Sequence, residues 1–200
     1  MPQAIALALV AGYADAAGFL RFGAFAGMMT GNTVLMGIAA ANRHWGEAAG
    51  FGALIATFFV AVILAQLYQH RFTRVRYALI LEAALLLVCD LIKADWGIVL
   101  IVFAMGMQNA ITTKVVGIRI NTTFVTGVLH QFGEGVAQLC LPARLRPDAS
   151  KGGPVAIYGF VWGAYAVGAA AGAIGFNTMT MPLIPPALLL AYVYATAKSV

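Results

Sequence analysis

Gly12-Tyr13-Ala14-Asp15-Ala16, followed after a gap by Thr30-Gly31-Asn32-Thr33, is a polar interruption in hydrophobic sequence, and it occurs twice. The second copy reads Gly106-Met107-Gln108-Asn109-Ala110, followed by Thr126-Gly127. Gly12 aligns with Gly106, Asp15 with Asn109 and Ala16 with Ala110. After two inserted residues, Thr30-Gly31 falls on Thr126-Gly127 and Gly37 on Gly133. A duplicated polar break in so apolar a chain predicts two halves that meet around a site inside a membrane.

Composition fixes the broad class. The 200 residues are 62% hydrophobic and 10% charged, where a soluble domain carries about 25% charged residues. The stretches between polar clusters approach the roughly 20 apolar residues that span a bilayer. The chain therefore reads as one transmembrane domain over 1–200, with the bilayer as its main partner and little room for a soluble module. Its net charge of +5 is not a nucleic-acid footprint, because the basic residues sit mostly in short loops and report topology. No cleavable signal is expected, since Met1-Pro2-Gln3 runs into the first apolar segment without a basic stretch. Cys89 and Cys140 have no paired spacing that points to a disulfide or a metal.

Eight apolar segments are expected, at about 3–20, 24–42, 47–69, 77–94, 96–113, 122–141, 153–175 and 180–197. If all eight cross, the twelve Lys and Arg divide six and six between the two sides. If the second and sixth enter and return on one side, Arg71, Arg74, Arg76, Lys114, Arg119, Arg144, Arg146, Lys151 and Lys198 share a side, against Arg21, Arg43 and Lys93. That bias makes the first side cytoplasmic and places both termini there. The expected fold is then all-α, with six membrane-crossing helices, two broken or re-entrant helical segments and an inverted internal repeat. Repeat one covers about 1–95 and repeat two about 96–200. Each half has an odd number of crossings, which inverts the second. Leu79-Ile80 and Ala83 match Leu183-Ile184 and Ala187. Trp45 and Trp96 fall at the outer interface, where an indole is favoured.

The elements AGYADAAGFL at 11–20, MTGNTV at 29–34, AMGMQNA at 104–110 and TTFVTG at 122–127 together resemble the YoaK-like bacterial inner-membrane proteins. That family has no known function and is usually drawn with six transmembrane helices. The resemblance covers essentially the whole chain and implies a multi-pass inner-membrane protein. It supplies no substrate and no catalytic residues. Its motif positions fall on Asp15, Thr30, Gly31, Asn32, Gln108, Asn109, Thr126 and Gly127.

Asp15 is the first candidate. An aspartate at mid-helix costs roughly 2.5–3.5 kcal/mol on insertion scales, so it must face protein or water. It binds a proton, a cation or a solute, or it is a structural acceptor tying the first helix to the broken segment. The Thr-Gly pairs are the second. A half-helix that starts at mid-membrane presents free N–H groups and a positive dipole end. Thr30-Gly31 and Thr126-Gly127, with Asn32, would then bind a small polar or anionic solute. Alternatively the pairs serve helix packing. Gln108 and Asn109 have the donors and acceptors to touch such a solute. His130 and Glu134 lie four residues apart on one face of the sixth segment. They form a proton relay with Asp15 or a structural pair, and no further metal ligands accompany them. Glu82, inside the fourth segment, raises the same question as Asp15. Gly168 and Gly172 form a small-residue pair that packs within the bundle or across a homodimer.

No nucleophile motif, phosphate loop or zinc motif is present, so neither an enzyme nor a cofactor is expected. The leading expectation is a small secondary transporter of a polar or anionic solute, with proton coupling through Asp15, Glu134 or His130. A channel or facilitator and a non-transporting scaffold or sensor remain the alternatives.

Overall fold

The computed structural model describes residues 2–71, 77–92, 94–110, 113–115, 118–120, 125–142 and 155–196. Of the charges behind the topology, Arg74, Arg76, Lys93, Arg144, Arg146, Lys151 and Lys198 lie outside the described residues.

The described residues form eight helices. They are α1 Pro2–Phe22, α2 Met29–Ala41, α3 Trp45–Arg71, α4 Tyr77–Ile92, α5 Gly97–Ala110, α6 Val125–Cys140, α7 Val155–Thr178 and α8 Ile184–Thr196. All eight apolar segments are therefore helical. A short antiparallel pair, β1 Thr113–Val115 and β2 Ile118–Ile120, separates α5 from α6. It cuts short the segment expected to continue to residue 113. Helices α1, α3 and α7 are long and apolar enough to cross a bilayer, whereas α2, α5 and α8 are shorter apolar helices. The 13 residues of α2 rise only about 20 Å, against about 30 Å of hydrocarbon.

The core is apolar, but the outer surface is unlike that of a soluble protein. Large apolar side chains such as Phe59, Leu67, Leu91, Phe160, Val167 and Leu188 are exposed. Asp15, Asn32, Glu82, Asp90 and Gln108 are buried. This is the distribution of an all-helical membrane protein, whose outer surface meets lipid and whose polar groups must find partners inside.

The main packing pairs are α1 with α7, α3 with α5, α2 with α3, α6 with α7, α4 with α5, α4 with α8, α1 with α8 and α1 with α5. Small residues set the closest of them. A Cβ added at Gly12 would run into the Tyr165 carbonyl, and one at Gly168 into the Leu9 carbonyl. One at Gly172 would meet the Tyr13 carbonyl. The Gly168–Gly172 pair thus packs inside the bundle, backbone against backbone, on α1. Gly106 does the same in the other half, where an added Cβ would lie 2.8 Å from the Phe58 carbonyl oxygen.

The first break falls where the sequence placed it, with a sharper form. Gly23, at φ 68°, ends α1 in the left-handed region, and its N–H donates to the Phe19 carbonyl at 2.9 Å. The chain then doubles back as an irregular loop to Met28 before α2 begins. Met29 packs in one cluster with Phe58, the fourteenth residue of the 27 in α3. Helix α2 therefore starts level with the middle of α3.

Candidate functional site

Asp15 sits on α1 with 5% of its surface exposed. Its Oδ1 accepts the Gly27 N–H at 2.6 Å and the Met28 N–H at 3.2 Å. Its Oδ2 accepts the Tyr165 hydroxyl at 2.6 Å. Asp15 therefore holds the two amides that lead into α2, ahead of its first residue Met29. Met28, the residue before α2, makes no capping bond with its own side chain. Each such charge-assisted bond is worth about 1.5–3 kcal/mol. The arrangement links α1, the start of α2 and α7 at one point.

Asn32 completes the loop. It is fully buried, its Oδ1 accepts the Phe25 N–H at 2.9 Å, and its Nδ2 donates to the Phe25 carbonyl at 2.8 Å. Both backbone polar groups of Phe25 are held by a single side chain seven residues on. Gly31 is half-buried beneath the Phe25 ring, where an added Cβ would lie 2.7 Å from a ring carbon. Thr30 is exposed. Of the first motif, Asp15, Asn32 and Gly31 are thus drawn together around residues 25–28, and Thr30 points away from that centre.

In the second motif, Gln108 is 1% exposed. Its Nε2 donates to the Leu7 carbonyl at 2.8 Å, which joins α5 to α1, while its buried Oε1 has no partner among the described residues. Asn109 is half-buried and engaged. Thr126 is exposed and Gly127 half-buried at the start of α6. His130 and Glu134 do meet, at 3.5 Å, with side chains 72% and 60% exposed on the outer face of α6. The bonds described for Asp15 involve neither of them.

Two residues enter this picture that the sequence reading did not single out. Tyr165 comes from the middle of α7, where one tyrosine among apolar neighbours carries no signal. Asp90 is buried in α4, where its Oδ2 accepts the Leu183 N–H at 2.6 Å beside the start of α8. Its Oδ1 lies 3.3 Å from the Arg21 guanidinium. A carboxylate inside the apolar run of residues 77–94 was a legible signal of the same kind as Asp15. A cavity of about 280 Å³ opens beside this pair, lined also by Phe176, Met179, Thr180 and Pro182. A second cavity, of about 300 Å³ between α3, α4 and α5, is mainly apolar and includes Leu64, Tyr68, Phe103 and Met107. Asp15 lines neither.

Glu82, on α4, is the remaining buried acid. It is 0% exposed and neither carboxyl oxygen has a partner among the described residues. The described residues hold no cluster of His, Cys, Asp and Glu suited to a metal ion.

The exposed apolar surface agrees with the description of a relative as a transmembrane protein. A relative from Rhizobium meliloti (strain 1021), described as the UPF0700 transmembrane protein RA0705, is 32% identical over 141 residues. That stretch is 70% of this chain and 62% of the relative, so the match spans less than two thirds of the relative's length. No solved structure matches the chain. The family model described as "Protein of unknown function (DUF1275)" matches residues 3–196, nearly the whole chain, and the protein belongs to that family of membrane proteins.

Proposed function

We propose that the protein is a small secondary transporter of a small polar or anionic solute, built from two inverted repeats in a bacterial inner membrane, with both termini cytoplasmic. One observation carries the reading. Exchanging α1, α2, α3 and α4 for α5, α6, α7 and α8 maps the main helix–helix pairs onto themselves. The α1–α7 pair becomes α5–α3, α2–α3 becomes α6–α7, and α4–α5 becomes α8–α1, while α4–α8 and α1–α5 map onto themselves. The matched motif glycines Gly12 and Gly106 make equivalent close approaches, on α7 and α3 respectively.

Direction supports inversion. Helices α1 and α7 run parallel, since Gly168 meets Leu9 and Gly172 meets Tyr13. Helix α2 turns back against α3 at the end that carries the exposed Trp45, with Met36 against Gly52. Helix α6 turns back against α7 at the opposite end, with Gly135 against Val155 and Phe132 against Gly159. Two short helices anchored at opposite faces, each hairpinned to a long one, are what an inverted repeat with re-entrant segments produces. The charge bias then assigns the tryptophan end to the outside.

The solute would pass between the halves near Gln108 and Asn109, and the start of α6 at Thr126–Gly127 is where an external anion finds a helix terminus. Ahead of α2 the amides of Gly27 and Met28 are already taken by the protein's own Asp15. That same saturation favours a second reading, a non-transporting scaffold in which the breaks serve only to lock helices together.

Spin-label distances in lipid nanodiscs separate the two. One label pair at Ala41 and Thr178 reports the tryptophan end, and another at Tyr68 and Thr196 reports the opposite end. A transporter shows two populations at each end, one end opening as the other closes. A single narrow distance at both ends supports the scaffold and sinks the transporter.

A further inference from the structure

Glu82 is the sixth residue of α4 and lies on its buried face with Ala78, Leu79, Ala83 and Leu86. That face packs on α5 and α8. The surrounding cluster is apolar and draws Ile101, Ala104 and Met105 from α5, Ala187, Leu190 and Val193 from α8, and Leu183 just ahead of α8. A carboxylate in such a place has no hydrogen-bond donor to hold its charge, and an uncompensated buried charge is far costlier than a neutral acid. Ionisable residues inside membrane segments are rare, and those present mark ion or proton pathways by default.

The charged and titratable groups around it do not offer a partner. Helix α5 carries none. Helix α8 carries Tyr192, which is exposed, and Tyr194, which packs on Tyr77 of α4 at 6.1 Å between ring centroids. On α4 itself, Asp90 is held by Arg21 and the Leu183 N–H, and Cys89 lies against Gly97. From α1, Asp15 is taken by Gly27, Met28 and Tyr165, and Tyr13 points its hydroxyl at Gly175 of α7.

One polar atom near the same level is also unfilled. Cys89 meets Gly97 where α4 and α5 adjoin. Two helical turns back along α4 from Cys89 is Glu82, and two turns along α5 from Gly97 is Ala104. Gln108 is about one turn, or roughly 6 Å, further on. Its Oε1 lacks a donor. A carboxylic acid has the O–H that an amide oxygen lacks, and a carboxylate does not.

We propose that Glu82 is the proton-binding site of this protein. In the closed packing the side chain is a neutral carboxylic acid. When α4 parts from α5 and α8 and water enters, the O–H bond breaks and the proton passes to water, leaving the carboxylate hydrated. Repacking requires the proton back. The use of this proton in transport rests on the transporter reading above; the protonation itself does not.

The test is infrared spectroscopy of the full chain in nanodiscs of phosphatidylethanolamine and phosphatidylglycerol at neutral pH. The wild type is expected to show a protonated-carboxyl C=O band that shifts in deuterium oxide. Asp15→Asn keeps the band and Glu82→Gln loses it. Glu82→Leu, which needs no hydrogen bond, gives the same loss should the glutamine variant not fold. Absence of the band in the wild type, or its survival in the Glu82 variants, overturns the proposal. Loss of the band with Glu82→Gln, together with single distances at both ends in the spin-label experiment, upholds proton binding and overturns the transporter. Two distance populations with an unchanged band do the reverse.

Discussion

Asp15 and Glu82 are both carboxyls buried among helices of the same bundle, and their surroundings are opposite. Asp15 accepts two backbone N–H groups and a tyrosine hydroxyl from two other parts of the chain. Glu82 accepts nothing from the described residues. The first environment offers the carboxyl three hydrogen-bond donors before any ligand arrives. The second suits a neutral acid. The lesson is that burial of an acid in a membrane protein does not tell whether it is structural or titrating. The donors within reach decide that. By this measure the aspartate in the repeated motif is an anchor, and the glutamate outside it is the group with unfilled chemistry.

The comparison breaks most visibly at Asp15→Leu. That change strands the Gly27 and Met28 amides and the Tyr165 hydroxyl without an acceptor. A loss on the order of 3–5 kcal/mol is expected, the size seen when a buried ionic partner is removed. The readout is a lowered thermal midpoint and loss of monodisperse protein in detergent. An unchanged midpoint would remove the anchor role.

Gly12→Val and Gly106→Val come next, and sharpen the equivalence of the halves. Each inserts carbons into a neighbouring backbone, on α7 and α3 respectively. Overpacking of this kind costs about 1–3 kcal/mol or more. Similar losses in the two variants are expected in thermal unfolding. A large loss at one position and none at the other would argue against matched roles.

Asp15→Asn should be milder than Asp15→Leu, because the amide keeps an acceptor oxygen while losing the charge. Tyr165→Phe removes one of these donors and should cost about 1.5–3 kcal/mol. In a double-mutant cycle the two changes should be less than additive, since both act on one bond. Full additivity would mean that the Tyr165–Asp15 bond contributes little.

The smallest effect is expected at Glu82→Leu. Replacing an unpaired buried acid by an apolar group of similar size is close to neutral or stabilising, within about 1 kcal/mol. A loss comparable to that of Asp15→Leu would mean that Glu82 has a partner after all, and the contrast between the two acids would fall.

Much of the architecture was legible. The eight apolar segments are eight helices, because runs of that length and hydropathy have no other stable form in a bilayer. The segment expected from residue 24 begins as a helix only at Met29, because Gly23 stops α1 and Asn32 holds the loop at Phe25. The segment expected to reach residue 113 ends at Ala110. The small-residue pair on α7 announced close packing, and its partner is α1. For Asp15, both the anchor and the ligand site were open in the sequence, and the contacts found are those of the anchor.

Composition and the repeated motif were sufficient for class, helix count and the position of the first break, since these depend on neighbours a few residues apart. The fate of each buried carboxyl was decided only in three dimensions. Asp15 is satisfied by a loop 12 residues away and a hydroxyl 150 residues away, whereas Glu82 faces helices that bring it no donor. Which donors meet a side chain depends on the path of the whole chain, and no local pattern encodes that.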